Sequence, residues 1–228
     1  MKSSSGSRPP QILTRIYKKL YKFYGPQSWW PGRSRFEIII GAILTQNTAW
    51  PNVEKAIKNL RAKRSLSSPQ QLHGLSRNKL ARLIRPAGYY NVKALRLQNF
   101  TTFLMREYGG NLARMAKVPT ESLRRELLGI NGIGQETCDS ILLYAFNRPV
   151  FVVDAYTKRI FSRHGLFTEN PPYGSVQDIF MKDLPSDIKI FNEYHALIVR
   201  LGKDHCRKKP KCGRCPLNEW KILAKYSR

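Results

Sequence analysis

Three stretches of this sequence carry residue types and spacings suited to chemistry. The first is GINGIGQETC, Gly129 to Cys138, where three glycines within six residues separate the apolar-periodic run TESLRRELL from a second run, DSILLYAF. Gly132 and Gly134 leave backbone N–H groups open to close approach, and a helix starting just behind them adds the positive end of its dipole. That is a recipe for holding a phosphate without basic side chains. An ordinary helix–helix turn, with glycine just past a helix end, has the same spacing. The second stretch holds Asp154, twenty positions after Gly134, behind the apolar FVV and ahead of AYTKRIFSRHG. Its carboxylate either caps the helix that follows or supplies charge to a reaction. The third is CRKKPKCGRCPLNEWKI, in which Cys206, Cys212 and Cys215 stand five and then two residues apart. Clustered thiols of this kind point to a metal rather than to a secreted disulfide framework, and Cys138 stands apart from them in the hairpin region.

Helices must position these groups. Ile12, Ile16, Leu20 and Phe23 recur at helical spacing up to Gly25, and SWWPGRSRF reads as a Pro/Gly-bounded loop with two adjacent tryptophans. RFEIIIGAILTQNT reads as one buried helix, and PNVEKAIKNLR starts a helix at Pro51. Shorter helices are expected at about 68–74, 76–86, 91–107 and 111–115, the hairpin pair at 120–128 and 135–147, and two more at 174–183 and 187–203. PVFVV is a brief apolar run, without the alternating strand pairs of a sheet or any internal repeat, so the fold class is all-α.

Composition bounds the partner. Of 228 residues, 40 are Lys or Arg and 15 are Asp or Glu, a formal charge of +25 spread along the whole chain. A folded surface this positive calls for a polyanion, and nucleic acid comes first. No apolar run has membrane-spanning length, and MKSSSGSRPP has no apolar signal core. A cytoplasmic, DNA-associated monomer is expected, with no membrane partner.

The segment LLGINGIGQETCDSILLYAFNRPVFVVDAYTKRIFSRHG (Leu127–Gly165) resembles the helix-hairpin-helix motif and following catalytic Asp of the endonuclease III superfamily of base-excision DNA glycosylases. GAILTQNT (Gly41–Thr48) resembles the early helix of that superfamily and its duplex-inserting Gln, and HALIVRLGKDHC (His195–Cys206) is similar to the helix leading into its cluster loop. The likeness runs over about residues 27–215 in order. It implies two helical lobes with a DNA-binding cleft between them: one lobe from 27–148 including the hairpin, the other from 1–26 with 149–228. The target base would be flipped out of the duplex. Gly132, Gly134 and Gln135 would grip phosphate, Gln46 would fill the gap left in the duplex, and Asp154 would be catalytic.

The strand-cleaving branch carries Lys at the position occupied here by Glu136, which cannot form a Schiff base. The adenine-glycosylase branch has an acid where this chain has Ala42. What the resemblance leaves is a monofunctional glycosylase with no AP lyase action, whose leaving group must already be activated. SWWPGRSRFEIIIGAILTQNTAW resembles the 3-methyladenine branch, where Trp29, Trp30, Pro31 and Trp50 would line the base pocket, and RPAGYYNVKALRL (Arg85–Leu97) is similar to that branch too. Alkylated purines fit, because alkylation leaves a cationic, labile base suited to aromatic walls. Two alternatives remain: a uracil, thymine-mismatch or endonuclease III-like glycosylase, and a non-catalytic DNA-binding module. No cofactor is required for the chemistry. The superfamily's four-iron cluster uses four Cys with six, two and five residues between them. Here the first gap is one short and Lys221 stands where the fourth Cys belongs. No metal, a [4Fe-4S] cluster with an unusual fourth ligand, and zinc with nitrogen from His205 are all open. The basic loop of Arg207, Lys208, Lys209, Lys211 and Arg214 offers a phosphate surface in any case, or a solvated charge run.

Overall fold

A capping box opens the element around which residues 30–148 are built. The Glu37 N–H donates to Ser34 Oγ at 3.2 Å, and the Glu37 carboxylate reaches back to the Arg33 N–H at 3.0 Å. The helix behind this cap, α2 (Arg35–Leu44), buries eight of its ten residues. Its three isoleucines sit in helix rather than strand because the element is covered all round, which removes the need for an apolar stripe.

The computed structural model describes residues 12–27, 29, 32–167 and 170–219. Those residues form twelve α-helices and no strand, as the all-α reading expects. Beside α2 they are α1 (Ile12–Tyr24), α3 (Trp50–Ala62), α4 (Pro69–His73), α5 (Arg77–Leu83), α6 (Tyr90–Tyr108), α7 (Leu112–Met115), α8 (Thr120–Leu128), α9 (Gln135–Ser140), α10 (Ala155–Arg163), α11 (Tyr173–Asp183) and α12 (Ile188–Asp204). The chain divides into a central unit, 30–148, and a terminal unit, 1–29 with 149–228. The division falls three residues beyond the boundary read from sequence. Gln27 is held in the terminal unit, its N–H donating to Glu193 Oε1 at 2.7 Å.

In the central unit, α6 buries Lys93, Ala94, Leu97, Phe100, Thr101 and Leu104 along one face and stops at Gly109, φ +61°. The helix after the hairpin changes character: α9 runs into a π turn, Ile141–Ala145, all of it buried and packed against α2. The terminal unit has an aromatic core. Phe151 stacks on Phe180 at 4.2 Å between centroids, and Phe161 meets Phe180 edge-on at 5.0 Å.

One expectation needs correction. The buried helix does not run on to Thr48 but ends at Leu44. Thr45 Oγ1 donates back to the Gly41 carbonyl at 2.6 Å, and Asn47 turns left-handed at φ +51°, which Asn tolerates better than most residues. The apolar run PVFVV is extended and buried without a strand partner. Its polar backbone is satisfied from α11 instead, with Gln177 Nε2 donating to the Phe151 carbonyl at 2.7 Å.

Candidate functional site

The hairpin between α8 and α9 is fixed from below by a buried ion pair. Arg124 donates from Nε to Asp139 Oδ1 at 2.7 Å and from Nη2 to Oδ2 at 3.1 Å, and Asp139 is fully buried. Cys138 lies beside this pair, its thiol directed at the Arg124 carbonyl 3.6 Å away. Gly132 adopts φ +98°, and a Cβ there would fall 2.3 Å from Arg96 Cγ, so both conformation and space demand glycine. Gly134 caps α9, and the space where its side chain would stand is open. Gln135 and Glu136 follow, exposed, in the first turn. A carboxylate in that turn suits the helix dipole.

Gln46 is drawn to the hairpin. Its Nε2 donates to the Gly132 carbonyl and to Thr137 Oγ1, both at 2.9 Å, while Oε1 accepts from Arg96 Nη1. The structure thus brings Gln46, Gly132 and Thr137 together across 86 to 91 residues of sequence. Tyr89 lies just past Ala87, whose carbonyl accepts from the Thr48 hydroxyl at 2.6 Å. It is 73% exposed and held at φ +43°. A strained, outward-facing aromatic linked to the Gln46 turn is a candidate duplex contact that the sequence reading missed. In GYYN nothing separates the exposed Tyr89 from its neighbour Tyr90.

In the terminal unit, Asp154 is 7% exposed and divides its oxygens between two tasks. Oδ1 accepts from the Thr157 N–H at 2.7 Å and the Thr157 hydroxyl at 2.8 Å, capping α10. Oδ2 lies 3.6 Å from His195 Nε2 on α12. Burial acts to raise the Asp154 carboxyl, but His195 and the Thr157 hydrogen bonds outweigh it and hold the group below the usual carboxylate range. From the sequence, His195 stands out only as part of the segment leading into the cluster loop. Forty-one residues separate it from Asp154, so no local pattern pairs them.

Of the expected base-pocket residues, Trp50 lines a cavity of about 660 Å³ in the central unit, with Arg33, Glu37, Glu54, Lys58 and Arg61. Its indole N–H donates to Glu54 Oε1 at 2.9 Å. Trp29, half-buried in the terminal unit, has Lys203 Nζ 5.9 Å over its ring. Trp30 and Pro31 lie outside the described residues.

The cysteine loop is stapled by two arginines of α10. Arg159 Nε donates to the Cys206 carbonyl at 2.8 Å, and Arg163 donates to the Arg207 and Lys208 carbonyls at 2.6 and 3.0 Å. Cys206 is buried beneath Arg163, Cys215 is half-buried and Cys212 exposed. Among the described residues no three His, Cys, Asp or Glu side chains are arranged to hold a metal ion. A four-iron cluster takes four thiolates, and Lys221, at the fourth position, lies outside the described residues. Among the described residues Cys206, Cys212 and Cys215 supply three thiols of such a set, and Arg159 and Arg163 shape the loop that carries them.

An all-α chain with a glycine hairpin, a buried Asp at a helix start and a basic surface is matched, over residues 40–186, by the family described as the HhH-GPD superfamily base excision DNA repair proteins. The chain belongs to that superfamily. As a member it is a DNA glycosylase of base excision repair. Residues 207–220 also match the iron-sulfur binding domain of endonuclease III, a span that begins after Cys206. A relative in Methanocaldococcus jannaschii, provisionally named a DNA repair glycosylase, is 52% identical over 92% of this chain and 96% of its own. A non-covalent endonuclease III–DNA complex shares the fold with a TM-score of 0.79, at 24% identity over 94% of this chain and 96% of that one. The 3-methyladenine DNA glycosylase of H. pylori, bound to 1,N6-ethenoadenine, has a TM-score of 0.71 at 28% identity, over 83% of this chain and 96% of that one. No helix among the described residues of this HhH-GPD protein is long and apolar enough to cross a membrane.

Proposed function

We propose that this HhH-GPD glycosylase is monofunctional and hydrolyses the N-glycosidic bond of alkylated purines, 3-methyladenine foremost, flipped from duplex DNA. The observation that carries the reading is Glu136. An exposed carboxylate stands in the first turn of α9, where the strand-cleaving branch has Lys. Without an amine there, attack on C1′ falls to water: the C1′–N bond breaks, its electron pair leaves with the base, and the water's proton passes to solvent. A cationic alkylpurine leaves as a neutral molecule and needs no general acid. Asp154, ionised, supplies negative charge as the sugar becomes oxocarbenium-like. With Oδ1 committed to Thr157, Oδ2 is the oxygen available for that task, and His195 orients it.

Gly132, Gly134 and Gln135 hold phosphate, while Gln46 and Tyr89 meet the opened duplex. The likeness of their segment to the 3-methyladenine branch assigns the base to Trp29, Trp30, Pro31 and Trp50. The solved relative bound to an ethenopurine is consistent with this substrate class. A second reading, an endonuclease III-like glycosylase, is favoured by the match of the cysteine loop. The two readings part on a panel of duplexes, each carrying one lesion. Release of 3-methyladenine, with oxidised pyrimidines and uracil untouched and no adduct trapped by borohydride, is the expected result. Pyrimidine release with a trapped adduct would overturn it.

A further inference from the structure

Two cations of α6, Lys93 and Arg96, are turned to internal use. Lys93 is 1% exposed. An ammonium has three N–H donors, and this one finds three acceptors: the Leu44 carbonyl at 2.8 Å, the Ala87 carbonyl at 2.7 Å and the Thr48 hydroxyl. The three lie at the end of α2, before Tyr89 and in the Gln46 turn. Burial drives Lys93 down to about 8, and the like charge of Arg96 adds to the effect. An apolar side chain could fill this space without the desolvation of a charge, so filling space does not account for Lys93. Arg96 follows one turn later. Its guanidinium donates to Gln46 Oε1, and its aliphatic stem occupies the space left by the missing side chain of Gly132. Gln46 completes the link through its two bonds to the hairpin.

We propose that Lys93 and Arg96 are positioning residues for engagement of damaged duplex. They hold the Thr45–Thr48 turn, and through it Gln46, in fixed register with the hairpin, so that phosphate grip and duplex probing form one preorganised surface. The inference rests on the reading above, in which the hairpin holds phosphate and Gln46 meets the duplex. Freed of Lys93 and Arg96, a turn with Asn47 left-handed would populate other conformers, and ordering it would be charged against binding.

The test uses two duplexes of one sequence, intact or carrying a tetrahydrofuran abasic site beside 2-aminopurine, whose fluorescence rises on unstacking. Four variants are compared with the parent: Gln46→Ala, Arg96→Met, Lys93→Met, and the double Gln46→Ala/Arg96→Met. Arg96→Met keeps a stem against Gly132 and deletes the donor. Gln46→Ala, Arg96→Met and Lys93→Met are each expected to lower the preference for abasic over intact duplex by about tenfold, with a matching loss of the fluorescence rise. The double variant should be no worse than Arg96→Met alone, and Arg96→Lys should recover part of the signal. Should Lys93→Met fail to fold in a thermal melt, Arg96→Met decides. If Arg96 is only a phosphate ligand, Arg96→Met weakens both duplexes alike and flattens the salt slope by about one unit. Its loss then multiplies with that of Gln46→Ala, which overturns the proposal and leaves the duplex role of Gln46 standing. A Gln46→Ala variant with full preference and full fluorescence would overturn both together.

Discussion

Asp154 is at once a helix cap and the carboxylate on which the proposed chemistry depends, and a single substitution separates the two. Asn caps helices about as well as Asp, so Asp154→Asn should keep α10 capped and keep the affinity for an abasic-site duplex. Single-turnover excision should fall by at least about 10²-fold, the scale of losing one preorganised electrostatic group. Equal loss of binding and excision would make Asp154 structural only. Its pH behaviour follows from the direction of its shift. A carboxyl held below its ordinary value contributes stability above the unfolded value of about 4, and loses that contribution as pH falls through the lower folded value. The acid limb of excision due to Asp154 should therefore lie below pH about 4. His195→Gln, which removes the imidazole beside Oδ2, should move that limb upward, and an unmoved limb would show that His195 does not hold the carboxylate ionised.

At the scale of elements, the hairpin depends on Arg124 and Asp139, which tie α8 to α9 beneath the glycines. Removing one partner of a buried pair leaves the other charge uncompensated, at a cost of about 3–5 kcal/mol. Arg124→Met should lower stability to chemical denaturation by that order, and a change below about 1 kcal/mol would place the hairpin's support elsewhere. Lys93 has the same sign of pH dependence as Asp154, in a more alkaline window. A lysine whose folded value is depressed binds fewer protons folded than unfolded between pH about 8 and 10.4, so its contribution to stability rises with pH across that window, by up to about 1.4 kcal/mol per unit. Comparing urea midpoints of parent and Lys93→Met from pH 7 to 10 checks the sign. The sequence shows α8 and α9 clearly, because glycines and apolar periodicity bound both. It hides the end of α2, where a left-handed Asn47 and a lysine 49 residues away from Leu44 terminate the helix. It hides His195 beside Asp154 for the same reason: the partner comes from another element, and periodicity reports only which face of a helix is buried. Glu136, by contrast, is read from a single position, and its exposure is what a hairpin helix start dictates.

Over the whole molecule, the charge of +25 makes binding a matter of counterion release. With about six phosphate contacts, affinity for intact duplex should fall about 10³-fold between 50 and 200 mM salt. A shallow slope in a filter-binding or anisotropy series would mean that much of the positive surface stays in solvent. Anaerobically purified protein is expected to lack the broad absorbance near 400 nm of an iron–sulfur cluster, since three thiols do not complete one; that absorbance, if present, would require a ligand beyond them. The four thiols also differ in availability. Cys138, wholly buried under the Arg124–Asp139 pair, is pushed up to about 12 by burial, so almost none of it is thiolate at neutral pH. On the proposed substrate class, the protein works among electrophiles that alkylate DNA, and these consume thiolates first. The cysteine in the helix behind the hairpin is thereby spared. Chemical injury is left to exposed Cys212, in a loop held by arginines, where a modified sulfur need not disturb the hairpin.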